Sequence, residues 1–372
     1  QRSLSLMNFY DEVQSGLEGV VAFATEIAEP DREGSVLRYR GVDIEEIAGV
    51  VPFEQVWGLL VDGALLPGLP PADPYTLTVR TGDQRVDVQA AVAMLAPQWD
   101  FRPLLEISDG QARDDLARAS VMALSFVAQS ARGINSPPVS QSVIDGAGSI
   151  AERFLLRWRG EADPRHVKAI DAYWTTAAEH GSSTSTYTAR MVASTGADAG
   201  AALSAAIGAL SGPLHGGAPS RVLAMLDEVD QTGDALSWVK AKLDRGERLM
   251  GFGHRVYRAE DPRARVMRRF AKALGAPRVE AAEALEAAAL TELQERRPGR
   301  VLATNVEFWA AVLLDFAEVP PELFTPMFAG ARVAGWSAHI LEQKREARVI
   351  RPTALYVGAG PRPLSAVEGY QD

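Results

Sequence analysis

The stretch Met250-Gly251-Phe252-Gly253-His254-Arg255-Val256-Tyr257-Arg258, followed two residues later by Asp261-Pro262-Arg263-Ala264, divides into a glycine-flanked histidine and a helix start. Proline is tolerated in the first turn of a helix, where its missing N–H would have no partner anyway. Pro262 therefore opens a helix, and Arg263, Arg265, Arg268, Arg269 and Lys272 give it a basic surface. Glycine beside the histidine lets the backbone approach a ligand closely and adopt positive φ. Gly251-Phe252-Gly253 is too short to signal a nucleotide, and neither a P-loop nor G-x-G-x-x-G occurs in the chain.

Outward from this stretch, helical periodicity dominates. Asp115 to Arg132 is rich in Ala, Leu, Val and Met without Pro or Gly, and reads as a buried helix. Pro164 to Ala178, Thr188 to Thr195 and Ala199 to Leu210 read likewise, the last with Asp198 as N-cap. Ala218-Pro219 places a proline at another helix start, with Val222, Met225 and Leu226 on one face. Glu280 to Arg296, Asn305 to Phe316 and Leu323 to Gln343 complete the set. Strand signals are few: Leu37 to Tyr39, Leu77 to Val79 and Val86 to Val88 are candidates for small hairpins. Leu66 to Asp73, rich in Pro and Gly, is an irregular loop. The chain reads as mainly α.

Its 372 residues suffice for two domains or one large one, and 47% hydrophobic with 23% charged residues is ordinary globular composition. The absence of cysteine excludes a disulfide framework, a thiolate zinc site and a cysteine nucleophile. No run of about 18 apolar residues suggests a membrane span, and Gln1 to Gly16 lack the pattern of a signal peptide. A cytoplasmic protein is the expectation. A formal charge of −10 argues against nucleic acid, and any anionic substrate needs local arginines to overcome the overall field.

Three of the five histidines sit beside glycine: Glu179-His180-Gly181, Leu214-His215-Gly216-Gly217 and Gly253-His254-Arg255. Each alone could be a glycine-capped helix end; three in one chain point to a shared site. No paired histidines at i, i+4, no H-E-x-x-H and no G-x-S-x-G elbow occur, so no metal and no hydrolase of that type is expected. On chemistry alone Arg263, close behind Glu260 and Asp261, reads as surface charge, and Glu307 as a cap on the helix near Asn305.

Taken together, the motifs resemble the citrate synthase family. Ser211 to Ala218 (Ser-Gly-Pro-Leu-His-Gly-Gly-Ala) and Met250 to Arg258 are similar to its two histidine motifs, with Asp261-Pro262-Arg263-Ala264 at the expected distance. Asn305-Val306-Glu307-Phe308 resembles its carboxylate motif. Phe328-Ala329-Gly330-Ala331-Arg332 and Ile350-Arg351-Pro352 resemble its substrate-arginine motifs, and Tyr39 to Ile44 its early signature. The likeness runs from about Gly19 to Gly358 and is weakest between Val61 and Asp115. The Asn-Val-Glu-Phe wording and the short length look most like the second, shorter citrate synthases of actinobacteria, or proteins similar to 2-methylcitrate synthases.

The resemblance implies a two-domain helical fold: a large domain of 1–217 plus 305–372, a small closing domain of 218–304, and an intertwined homodimer. It implies a transferase of the tricarboxylic acid cycle that condenses acetyl-CoA with oxaloacetate. No permanently bound cofactor is implied; the coenzyme A thioester is a co-substrate. Carried over position by position, Glu307 takes a proton from the acetyl methyl group, His215 stabilises the enol and His254 polarises the ketone. His180, Arg263 and Arg332 hold the ketoacid, Arg351 matches an arginine supplied by the neighbouring subunit, and Arg258 matches a CoA phosphate contact. Three sites, four residues in all, depart from the family's pattern. Glu307 stands for the usual aspartate, Ser183-Thr184 for Asn-Ala after the substrate histidine, and Thr353 for an arginine. These departures leave room for 2-methylcitrate chemistry with propionyl-CoA or another ketoacid. They also leave room for a ligand-binding paralogue of low activity with a regulatory role.

Overall fold

The structure is a computed structural model and describes residues 13–31, 33, 35–215, 219–254, 256–300 and 302–371. Part of the signal-peptide stretch, Gly216-Gly217-Ala218 of the first histidine motif and Arg255 of the second lie outside the described residues. Contacts separate a terminal unit, formed by the first residues to Thr25 with Val349 onwards, from a main unit, Glu26–Arg348. Within the described residues the terminal unit has only short 3₁₀ turns, Ser15–Leu17 and Leu364–Ala366.

The main unit opens with three antiparallel strands, β1 (Ala28–Asp31), β2 (Val36–Tyr39) and β3 (Val42–Asp43), in which Ala28 pairs with Tyr39 and Tyr39 with Val42. Helices then take over: α1 (Ile44–Ile47), α2 (Phe53–Asp62), α3 (Gln84–Gln98), α4 (Asp109–Arg132) and α5 (Gln141–Asp145). They continue as α6 (Ile150–Arg159), α7 (Pro164–Ala177), α8 (Thr184–Ser194), α9 (Ala199–Leu210) and α10 (Pro219–Thr232). The last five are α11 (Ala235–Asp244), α12 (Pro262–Ala273), α13 (Val279–Arg296), α14 (Val306–Phe316) and α15 (Phe324–Glu346). The mainly α expectation holds. Two strand candidates do not: Leu77 to Val79 is irregular, and Val86 to Val88 lies in α3, where the Asp83 carboxylate accepts from Val86 N and starts the helix.

Helix starts follow local chemistry. Ser108 and Gln111 form a capping box on α4, and Asp163, Ser183, Asp198, Asp261 and Asn305 each accept a backbone N–H at the start of α7, α8, α9, α12 and α14. The central element is α15, buried along nearly its whole length and packed by α2, α4, α7, α8 and α9. Trp57, Trp174, Trp309 and Trp336 are wholly buried, and large aromatic side chains of this kind bury much apolar surface. A second cluster, α10 to α14, packs on it through α7, which touches both α12 and α14. Helices α8, α12 and α14 begin where the two clusters meet, and their N-terminal residues line the site described next.

Candidate active site

Residues 251–253 and 303–305 run antiparallel for one bridge, Phe252 with Thr304. Gly253 N donates to Ala303 O at 2.7 Å and Asn305 N to Gly251 O at 2.9 Å. Gly251 has φ +89°, and a Cβ there would lie 2.9 Å from that of Phe308, so only glycine lets the chain pass. Asn305 fastens the junction twice: its Oδ1 accepts from Glu307 N at 3.0 Å and its Nδ2 donates to Gly253 O at 3.0 Å. The bridge thereby sets His254 opposite the first turn of α14. Asn305 caps that turn, and Glu307 makes no capping bond.

Asp261 joins the two helix starts. Its carboxylate accepts Arg263 N (3.0 Å), grips the Arg263 fork through Nε (3.1 Å) and Nη2 (2.9 Å), and accepts Val306 N (3.1 Å). Arg263 is 4% exposed, so the surface-charge reading of this residue is set aside. Bidentate pairing explains how a charge is kept there. The second Nη2 proton meets His254 Nε2 at 3.1 Å, while His254 Nδ1 accepts Val256 N at 2.9 Å. A neutral imidazole has one lone pair, so both ring nitrogens facing donors leaves one contact unmet. Burial first, and Arg263 second, lower the His254 pKa to about 4, so charging the ring only worsens the conflict.

His215 follows α9, and its Nε2 accepts Ser185 N at 3.3 Å, which puts the proton on Nδ1. Burial, then Arg332, lowers its pKa to about 4. His180 Nε2 meets the Tyr257 hydroxyl at 2.9 Å, and its ring stands edge-on to His254 with centroids 5.4 Å apart. Its pKa lies well below 6.5, through burial and then Arg263. Arg332, 1% exposed, donates to Ala177 O (3.0 Å) and Ser183 Oγ (3.2 Å), lies over the Phe328 ring, and has no carboxylate partner among the described residues. Glu307 likewise has no side-chain partner among them, and burial raises its pKa above 4.5 against the pull of Arg263.

These groups share one cavity of about 190 Å³: His180, His215, His254, Arg263, Glu307 and Arg332 all line it, with Ser183 and Asn305. Arg258 does not line it, and Arg351 is expected in a neighbouring subunit's site. Arg258 is 74% exposed and pairs with Glu33 at 3.1 Å; Arg351 belongs to the terminal unit and is exposed. Sequence reasoning gave no role to Tyr257, Asp261 or Asn305. All three stand inside the quoted motifs, and Asp261 before Pro262 carries a helix-cap signal.

The Citrate synthase, C-terminal domain family matches residues 16–353. The chain belongs to the citrate synthase family. It is 65% identical over 357 residues to "Putative citrate synthase 2" of Mycobacterium tuberculosis, covering 96% of both chains. It is 31% identical to a 2-methylcitrate synthase of Shewanella oneidensis, covering 94% of this chain and 96% of that one. A solved ternary complex of carboxymethyl coenzyme A and oxaloacetate with the citrate synthase of Thermoplasma acidophilum superposes with a TM-score of 0.78. The identity there is 27%, covering 95% of this chain and 99% of that one. The protein therefore has the citrate synthase fold and is an enzyme of citrate-synthase-type condensation. Among its described residues no helix is long and apolar enough to cross a membrane.

Directly behind His180 lies a second buried group. Glu179 Oε2 meets His339 Nε2 at 2.8 Å and accepts Gly181 N at 3.1 Å. His339 Nδ1 meets Arg190 Nη1 at 3.0 Å, and Arg190 continues to Gln343 (3.0 Å) and Glu342. Gly335 of α15 leaves the room: a Cβ there would stand 2.6 Å from both Ala178 O and Glu179 Oε1.

Proposed function

We propose that this citrate synthase condenses acetyl-CoA with oxaloacetate to citryl-CoA, whose thioester water then hydrolyses to citrate and CoA. The reading rests on one observation: three neutral histidines, two buried arginines and an unpaired carboxylate line a single cavity. The two carboxylates of oxaloacetate suit the guanidinium forks of Arg263 and Arg332, with His180 as a further donor. An anion at Arg263 draws that group off His254, which frees Nε2–H to polarise the ketone while Val256 N holds Nδ1. The Nδ1–H of His215 serves the thioester oxygen as charge develops on it; one such donor is typically worth about 10²–10³ in rate. Glu307 takes the methyl proton. Its raised pKa makes it a stronger base than an exposed carboxylate, at the cost of needing a less acidic medium.

A cavity of about 650 Å³ meets the first at His254 and is lined by Arg248, Arg296, Arg297 and Arg300. That basic lining suits the phosphates of a coenzyme A thioester better than the exposed Arg258 does. We further propose that 218–304 moves as the closing domain, since His254 and Arg263 lie within it and His180, His215, Glu307 and Arg332 outside. Closure would exclude water from the thioester. In a homodimer, Arg351 would serve the neighbouring site, and the cytoplasm is the expected compartment.

A 2-methylcitrate reading is favoured by one feature: Ser183, in place of the family's asparagine, caps α8 and receives Arg332 with a shorter side chain. One methylene of discrimination is worth only about 1–3 kcal/mol. CoA-thiol release with acetyl-CoA and propionyl-CoA, each with oxaloacetate, tests both readings. Faster release from acetyl-CoA supports the first and from propionyl-CoA the second. Release at the enzyme-free rate with both overturns condensation with oxaloacetate and leaves a ligand-binding protein.

A further inference from the structure

Away from the condensation site, three arginines meet at a cavity of about 180 Å³, none of whose lining residues lines the first one. Arg80 comes from the segment before α3, Arg132 from the last turn of α4 and Arg157 from α6. In a chain with 48 acidic and 38 basic residues, arginines readily find carboxylates. Among the described residues these three have none. Arg80 Nη1 donates to Gln129 O at 3.1 Å; Arg132 donates to Pro137 O at 2.6 Å and Trp158 O at 3.0 Å. Backbone carbonyls fix the direction of a guanidinium without neutralising it.

Arg157 is the least satisfied. It is 8% exposed, and its Nη2 is closed off from solvent without an acceptor. Burial, with the like charge of Arg153, lowers its pKa to about 10. The carboxylate that acts on it, Asp145, is already engaged by Arg153 (2.8 Å) and Gln141 (2.9 Å). A buried, unpaired charge is costly to keep, and Arg157 shares its cavity with two half-buried arginines that lack a countercharge among the described residues, which leaves a gap of the opposite sign. Fixed forks of this kind match planar or tetrahedral oxyanions.

We propose that this cavity is a second anion site, taking a small doubly charged oxyanion, a phosphate monoester or a dicarboxylate, between Arg80, Arg132 and Arg157. The test is calorimetric titration of the full chain with inorganic phosphate and with succinate. Binding at the condensation site is told apart by Arg332→Met, which alters that site and leaves the second one intact. Wild type binds at least one of the two saturably, and Arg157→Met weakens that binding at least about tenfold while turnover holds within about twofold. Tighter binding of phosphate assigns the site to phosphate monoesters, and tighter binding of succinate to dicarboxylates.

Thermal unfolding gives a second, opposite-signed readout. In anion-free buffer Arg157→Met melts no lower than wild type, because an unpaired buried charge has gone; added anion raises the wild-type midpoint more than the variant's. Should Arg157→Met not fold, the Arg80→Gln/Arg132→Gln double variant carries the same prediction for binding. No saturable binding of either anion to wild type, or equal affinity in wild type and variant, overturns the proposal.

Discussion

Two histidines, His339 buried behind the active site and His254 lining it, place their protons in opposite ways. His339 has Nε2 against the Glu179 carboxylate and Nδ1 against Arg190, so one N–H and one lone pair each find what they need. His254 has donors at both nitrogens, and nearby Arg332 and Glu307 lack an opposite charge in contact. His339 is satisfied without a ligand, and among the described residues only Glu179 Oε1 in its cluster stays unpaired; His254 would be satisfied when an oxyanion takes Arg263 and a carbonyl takes the ring. Burial alone therefore does not mark a site. What marks it is buried polar capacity left unused, which native interiors otherwise avoid.

The largest way to break this contrast is at Glu307. Glu307→Gln keeps the shape, removes the proposed base and lowers turnover by about 10²–10⁴. The melting temperature should hold or rise, since no partner is lost; full activity would place the base elsewhere. Next is Asp261→Asn, which leaves Arg263 buried without its countercharge. Denaturant titration should show a loss of about 3–5 kcal/mol, with a raised KM for oxaloacetate; unchanged stability would mean the fork is dispensable. In the closed cluster, Gly335→Ala forces a methyl group against Ala178 O and Glu179 Oε1. Overpacking predicts a stability loss of about 1–3 kcal/mol, with CoA release reduced less than in Glu307→Gln. The reverse order would show that the Glu179 cluster positions His180 for catalysis.

Acid sharpens the same comparison. His215 and His254 have folded pKa values lowered to about 4 from 6.5. Their contribution to stability is full above 6.5 and is lost as pH falls through about 4, because the unfolded chain takes up protons that the folded chain refuses. His215→Gln should flatten that slope in a pH series of unfolding curves. Activity should fail earlier on the acid side, at a pH above 4.5, as the raised Glu307 carboxyl is protonated. An acid limb at or below 4.5 would count against Glu307 as base. The smallest effect belongs to Ser183→Asn, also a good helix cap: a shift of the acetyl-to-propionyl ratio would assign Ser183 to specificity, and no shift would make it a cap alone.

Much of this was legible in sequence wherever the signal was local. Ala199–Leu210 was delimited by its composition and Asp198, and proline marked the starts of α7, α10 and α12. Helices α2, α3, α6 and α11 went unread, and Val86 to Val88 looked like a strand, because short apolar runs carry little period and only packing decides their state. Of the residues lining the cavity, the three histidines were grouped by their glycine neighbours, and Arg263, Glu307 and Arg332 were added only by resemblance in motif, since no spacing rule brings such distant residues together. The sequence by itself determined a helical protein without cysteine and, through its motifs, membership of the citrate synthase family. Only the tertiary structure decided that Arg263 is buried in the Asp261 fork and that His254 faces two donors. It alone showed that, among the described residues, Glu307 has no side-chain partner and Arg157 Nη2 no acceptor. Hydrogen-bond satisfaction depends on which atoms from distant segments meet, and local sequence does not carry that information.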